Sequence, residues 1–327
     1  MLLDIGVTSG KQLKQILALS KLADKLDLNC VWIGDDIAKP HDVFTVASII
    51  LLKYSKVHVG IGVTSPVIRN ITTIARASSS LAEIGGKKRF RLGLGIGGLQ
   101  DLKALGIAAS NPERELYNAA VLLRKIWEGK TLSFEDDFVL KHYYPRYALG
   151  DQIPIFLGVR GPKLLKLAGE IADGVILSGP RTYLEKAIAL VSEDVVKSQR
   201  ARRNFRFVLW VPTILIDEES DLKLVKRTVA FVLADTPRKV LEMAELDYDK
   251  IKEIKTVFQR HGLAEASQLV TQELIDEAAI FGTSIQICEA FMTFEKFGVH
   301  EVVFGPPYGV DPERALAELA QTWRQLV

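Results

Sequence analysis

The residues best suited to chemistry lie in short glycine-rich stretches, each following an apolar run. Gly158-Val159-Arg160-Gly161-Pro162-Lys163 joins a strand-like run to a helical one. Proline suits the first helical position, and the free N–H groups of a helix start favour anions. With Arg160 and Lys163 beside them, this stretch predicts a phosphate site. Ser178-Gly179-Pro180-Arg181 repeats the arrangement one unit later. Gly158, Arg160, Gly161, Ser178 and Gly179 are therefore expected to hold one phosphate between two loops. The alternative is ordinary capping with solvated basic side chains.

Asp35 and Asp36 follow another apolar run and are the candidate catalytic carboxylates. Either could orient a ligand or donate a proton. A solvated turn or helix cap is the plainer reading. Asp42 suits a helix N-cap, and His58, His142, His261 and His300 read as structural or exposed. Gly93-Leu94-Gly95-Ile96-Gly97-Gly98 formally fits the GxGxxG dinucleotide pattern. That pattern needs an acidic residue closing a strand about 20 residues later. Here Glu113 and Glu115 open a helix instead, so glycines turning the chain at a barrel mouth are the better reading. Gly62-Val63-Thr64-Ser65-Pro66 and Gly305-Pro306-Pro307-Tyr308-Gly309 complete the set.

Eight strand-like runs must position these stretches: Leu2–Val7, Cys30–Ile33, Val57–Val63, Phe90–Leu94, Ile153–Leu157, Gly174–Leu177, Phe207–Ile216 and Glu301–Phe304. Helical spacing of apolar residues separates them, as at Leu13, Ile16, Leu17, Leu19, Leu22 and Ala23. Short apolar strands alternating with amphipathic helices imply a parallel sheet covered on both faces. Eight units predict a (β/α)8 TIM barrel, with an open doubly wound sheet as the alternative. One domain over 1–327 is expected, with insertions near 129–150 and 237–272 over the C-terminal face.

Composition narrows the classes. Among 327 residues, 48% are hydrophobic, enough for a large core, and the net charge of +2 argues against nucleic acid or an anionic membrane. No basic-then-apolar leader and no bilayer-length run are visible. Cys30 and Cys288 sit in apolar contexts as reduced thiols, which predicts a cytoplasmic protein. The histidines show no ligand-like spacing, so no metal is expected.

At these same residues the chain resembles the luciferase-like superfamily, and within it the coenzyme F420-dependent methylenetetrahydromethanopterin reductases. The resemblance runs nearly end to end. It includes Trp32-Ile33-x-Asp35, Gly60-x-Gly62-Val63-Thr64-x-Pro66, Leu92-Gly93-x-Gly95-x-Gly97, Gly158-x-x-Gly161-Pro162 and Gly305-x-Pro307-x-Gly309-x-Asp311. It implies a deazaflavin, coenzyme F420, across the barrel mouth, or FMN as the alternative. It also implies a non-prolyl cis peptide at Gly62–Val63 behind the ring. Asp35, Gly62, Val63 and Thr64 would contact the ring, with Gly95 and Gly97 nearby, and Gly158, Gly161, Ser178 and Gly179 the phosphate. A small-molecule substrate and a homodimer or higher homo-oligomer follow from the same likeness. The chain departs from the reductase pattern at three places. Gly6 and Gly98 stand where the family has acids, and Asp36 where it has a histidine. Hydride transfer by F420 is the expected chemistry; an FMN-dependent monooxygenase and a non-catalytic relative are the alternatives.

Overall fold

The computed structural model describes residues 1–86, 88–150, 152–198, 205–216 and 221–326. Eight parallel strands close a barrel: β1 (Leu2–Thr8), β2 (Cys30–Gly34), β3 (His58–Thr64), β4 (Phe90–Leu94), β5 (Ile155–Gly158), β6 (Gly174–Leu177), β7 (Arg206–Trp210) and β8 (Glu301–Phe304). Each strand pairs with its neighbours in sequence, and β8 returns to β1 with Asp4 opposite Val303. The closed parallel sheet decides for the barrel over the open doubly wound alternative.

Helices pack outside the strands because one face of each helix is apolar. Ile16, Leu19 and Ala23 of Leu13–Lys25 are buried, as are Leu165, Leu167 and Ala168 of Pro162–Ile171. Strand side chains alternate between this outer core and the lumen. Cys30, Trp32, Phe156, Ile176, Val208 and Val303 form a separate cluster inside the barrel.

The strands' first residues close the lumen with charge. Glu301 accepts from Arg91 at 2.5 Å and from Arg206. Asp4 accepts from Asn29 at 2.7 Å and from the Trp32 indole at 2.8 Å. Burial, then the nearby Glu301 carboxylate, pushes the Asp4 carboxyl well above its ordinary value. Despite its own burial, Glu301 is held below its ordinary value by Arg91, Asp4 and Arg206. This polar layer is the floor beneath the site.

One expected strand changes in detail. The run 207–216 is two strands, not one. Val211 and Pro212 interrupt it, because proline has no N–H for the ladder. Thr213–Leu215 then pairs with Ile280–Gly282, a strand the sequence reading did not identify. Tyr308, just past β8, donates its N–H to Thr213 and accepts from the Leu215 N–H. This small ribbon thus ties both ends of the long β7–β8 excursion to the barrel.

The two expected insertions also differ from each other. The stretch 129–150 contains a hairpin, Leu132–Glu135 with Val139–Tyr143. It lies along helix Pro112–Trp127, where Arg114 clasps Asp137 at 2.7 Å and Asn118 reaches Asp137 at 2.9 Å. None of its residues lines the cavity described below. The stretch 237–272 is helical, as expected. With helix Asp221–Asp235 and helix Gln272–Ala278 it builds a second apolar core around Val225, Val229 and Leu233. Among the described residues, no helix is long and apolar enough to cross a membrane.

Candidate active site

A cavity of about 670 Å3 opens at the C-terminal ends of the strands. Its floor and sides come from strand ends: Thr8, Gly34, Gly62, Val63, Gly158, Arg160, Ile176, Ser178 and Trp210. Pro306 and Pro307, after β8, close one side. Helix Asp221–Asp235 supplies the far wall with Leu224, Arg227, Thr228, Phe231, Val232 and Asp235.

The shape of the inner wall follows from one irregularity. The β3–β4 register shifts between Ile61 and Thr64, and the Gly62–Val63 peptide there is cis. The resulting bulge turns the Val63 side chain toward β4 and β5. A side chain at Gly95 or at Gly158 would meet Val63 at 2.5 Å, and one at Gly93 would meet it at 3.0 Å. Gly93 and Gly95 therefore make room for this bulge, which is their role here and not that of a dinucleotide fingerprint. Gly97 turns with a φ of +104° beside Ser65 and Ile68.

Trp210 ends β7 and fills the lumen above the floor. Its indole Nε1 donates to the Gly305 carbonyl at 2.7 Å. The ring covers Gly6 closely and would meet a side chain at Gly62 at 2.8 Å. The space for which the resemblance implies an acid on β1 is thus taken by an indole from across the barrel. At Gly98 a comparable exchange occurs. The Asp101 carboxylate lies 2.9 Å from where a Gly98 side chain would begin. Burial raises the Asp101 pKa, with further contributions from Asp36 and Asp235.

The two aspartates singled out in the sequence do not line the cavity. The Asp35 side chain is 3% exposed and fully engaged. It accepts from Thr64 Oγ1 at 2.6 Å and from Arg69 Nε and Nη2, each at 3.0 Å. Thr64 is itself buried and precedes Ser65, whose hydroxyl holds the Ile96 carbonyl at 2.5 Å. Asp36 sits beside Gly10, its backbone N–H held by Ser9 Oγ at 2.9 Å.

The two expected phosphate loops turn out unequal. Gly161 starts helix Pro162–Ile171 with a φ of +91° and no side-chain cap, leaving amides open. Arg160 projects to the cavity and reaches Asp235 at 3.2 Å. At the second loop, only Ser178 lines the cavity, while Gly179 packs against the Tyr183 ring. The start of helix Arg181–Lys197 is already occupied by the chain's own carboxylate. Glu277 accepts from the Thr182 N–H at 2.9 Å and from Thr182 Oγ1 at 2.8 Å. Between the loops the Tyr183 hydroxyl is buried without a hydrogen-bond partner among the described residues. Burial pushes this phenol up to about 12, against the pull of Arg160 and the Gly161 amide. Open amides beside an arginine fit an anionic group of a bound ligand.

The structure therefore brings Gly62, Val63, Gly158, Arg160 and Ser178 together on one cavity. Asp35, Asp36, Thr64, Gly95, Gly97, Gly161 and Gly179 are not among its lining residues. Sequence reasoning did not identify Trp210, Asp101, Tyr183 or the 221–235 wall. Only Trp210 left a trace, as a bulky residue just before the strand-breaking proline.

A model of the luciferase-like monooxygenase family matches residues 3–301. A 5,10-methylenetetrahydromethanopterin reductase of Archaeoglobus fulgidus is 28% identical over 304 residues, 90% of each chain. That of Methanopyrus kandleri is 28% identical over 329 residues, 94% of this chain and 93% of its own. In structure, the coenzyme F420-dependent tetrahydromethanopterin reductase of Methanopyrus kandleri superposes with a TM-score of 0.90 at 23% identity, covering 99% of both chains. An F420-dependent secondary alcohol dehydrogenase reaches 0.80 at 17% identity, covering 98% of this chain and 97% of its own. With the family match spanning nearly the whole barrel, the chain belongs to the luciferase-like monooxygenase family.

Proposed function

We propose that this protein is a coenzyme F420-dependent oxidoreductase. It moves hydride between the deazaflavin and a small organic substrate, with methylenetetrahydromethanopterin or a related pterin as the first candidate. The observation that carries this reading is the cavity itself. It has the Gly62–Val63 bulge on its inner wall and the Gly158–Arg160 loop with Ser178 at one end. The methanopterin reductases to which the chain is similar support the choice of coenzyme. When bound, a deazaflavin supplies a carbon that gives or accepts hydride.

The chain's own residues then have distinct tasks. Gly62 and Val63 back the ring, while Thr64 and Asp35 brace that bulge from behind. Gly158, Arg160, the Gly161 amide and Ser178 take the phosphate, with the Tyr183 hydroxyl beside them. Trp210, Pro306 and Pro307 keep water from the reacting face. Asp101, beside Gly98 where the resemblance implies an acid, is the candidate proton donor, its pKa raised first by partial burial and then by Asp36 and Asp235. Asp35 is a positioning residue, since both its oxygens are committed to Arg69 and Thr64. The buried free thiols Cys30 and Cys288 suit a reducing cytoplasm. Outer-helix residues such as Leu52 (71% exposed) offer a homo-oligomer contact, which light scattering would test.

Anaerobic titration of the purified protein with F420 and with FMN tests the coenzyme. Quenching of F420 fluorescence and turnover without oxygen are expected. Tight FMN binding with oxygen-dependent turnover would instead establish an FMN monooxygenase. Binding of neither would leave a barrel without this chemistry.

A further inference from the structure

Charge on the cavity wall is unevenly matched. Arg160, Arg227 and Asp235 are its charged lining residues. Arg160 reaches Asp235 at 3.2 Å. Arg227 has no hydrogen bond or ion pair among the described residues. One cation is therefore left without a counter-charge on the wall of a mainly apolar cavity.

Its neighbours make the position specific. Leu224, Arg227, Thr228 and Phe231 lie three or four residues apart on helix Asp221–Asp235, which puts them on one face. The opposite face, with Val225, Val229 and Leu233, is buried in the second apolar core. The cavity face is thus held in place by packing behind it. Phe231 nevertheless stays 55% exposed. An exposed phenyl and a leucine beside an unpaired guanidinium suit a ligand that is planar or apolar in one part and anionic in another. The Arg227 side chain is exposed and so open to an incoming ligand, and a guanidinium fits oxyanions bidentately.

We infer that Arg227 is an anion receptor, pairing with a carboxylate or phosphate of a ligand whose apolar part lies against Leu224 and Phe231. This rests on the coenzyme reading above and extends it to a second charged contact, apart from the Arg160 loop. Two sources carry that chemistry: the acidic tail of the deazaflavin coenzyme, or an acidic group on the substrate.

The test compares Arg227→Gln with Lys226→Gln, an exposed neighbour outside the cavity lining. The readouts are Kd for F420, Kd for its tail-less deazaflavin core, and KM and kcat with methylenetetrahydromethanopterin. If the tail is the partner, R227Q raises Kd for F420 roughly tenfold and leaves the core unaffected. If the substrate is the partner, KM rises roughly tenfold while kcat and F420 binding hold. Should R227Q match wild type in every assay, or weaken the core as much as F420, the inference is overturned. Failure of the wild-type protein to bind either deazaflavin would sink the coenzyme reading instead. Inorganic phosphate then decides the receptor: it should raise the wild-type Tm and raise that of R227Q less. Equal shifts in the two would overturn the inference.

Discussion

Two carboxylates near the mouth show how position, not residue type, assigns a task. Asp35 is spent on Arg69 and Thr64, whereas Asp101 is only partly buried, and that burial with Asp36 and Asp235 nearby raises its pKa. Asp101→Asn is expected to lower kcat strongly and to remove the fall in activity as pH rises through the raised carboxyl pKa. Asp35→Asn should weaken coenzyme binding and lower Tm, since it disrupts the Arg69 clamp, yet leave the shape of the pH profile intact. Reversal of those two profiles would exchange the roles. Gly6 and Trp210 make a second residue-level case. The indole lies where a Gly6 side chain would go, so Gly6→Ala overpacks the lumen and should cost about 1–3 kcal/mol in urea denaturation. In a Trp210→Leu background the same change should cost much less, because the clashing ring is gone.

At the scale of elements, the start of helix Arg181–Lys197 is satisfied from far along the chain. Glu277 reaches Thr182 across 95 residues and supplies the acceptor that Pro180 cannot. Glu277→Ala should cost about 1 kcal/mol of stability, read as a lowered denaturation midpoint. Coenzyme affinity should change little, because this helix start does not face the cavity. The neighbouring helix Pro162–Ile171 has no such side-chain cap. Two loops that read alike as GxRGPK and SGPR thus differ because only one meets a carboxylate brought by a remote element.

The whole molecule separates a charged floor from a glycine-lined mouth. Arg91 and Arg206 share Glu301 at the strand starts, and Arg91 also lies over Trp32 and Phe156. Glu301→Gln leaves both arginines short of counter-charge and should cost about 3–5 kcal/mol at neutral pH, measured by urea denaturation. Two histidines near that floor set an acid limit. Burial lowers the pKa of His58 and of His300, with Arg91 and Arg206 respectively adding to the shift. The folded chain therefore resists protons that the unfolded chain accepts near the ordinary 6.5. Their contribution to stability is complete above that pH and declines as pH falls through the lowered values. Denaturation midpoints should drop on acidifying below about 6.5, and less so in His58→Asn combined with His300→Asn.

The order of strands and helices was legible in the sequence because each element carries its own apolar period. β4, β6 and β8 fall where the apolar runs at 90–94, 174–177 and 301–304 predict them. Glycines at the strand ends likewise marked the mouth, since close packing there leaves no room for a side chain. The motif resemblance pointed to the bulge at Gly62–Val63 before its contacts with Gly95 and Gly158 were known. What the linear chain could not show is which remote groups meet. Arg69 claims Asp35, Glu277 fills a helix start, Trp210 covers Gly6, and helix Asp221–Asp235 brings Arg227 to the cavity. Those partnerships join residues far apart along the chain and leave no local period or spacing, so only the closed barrel decides them.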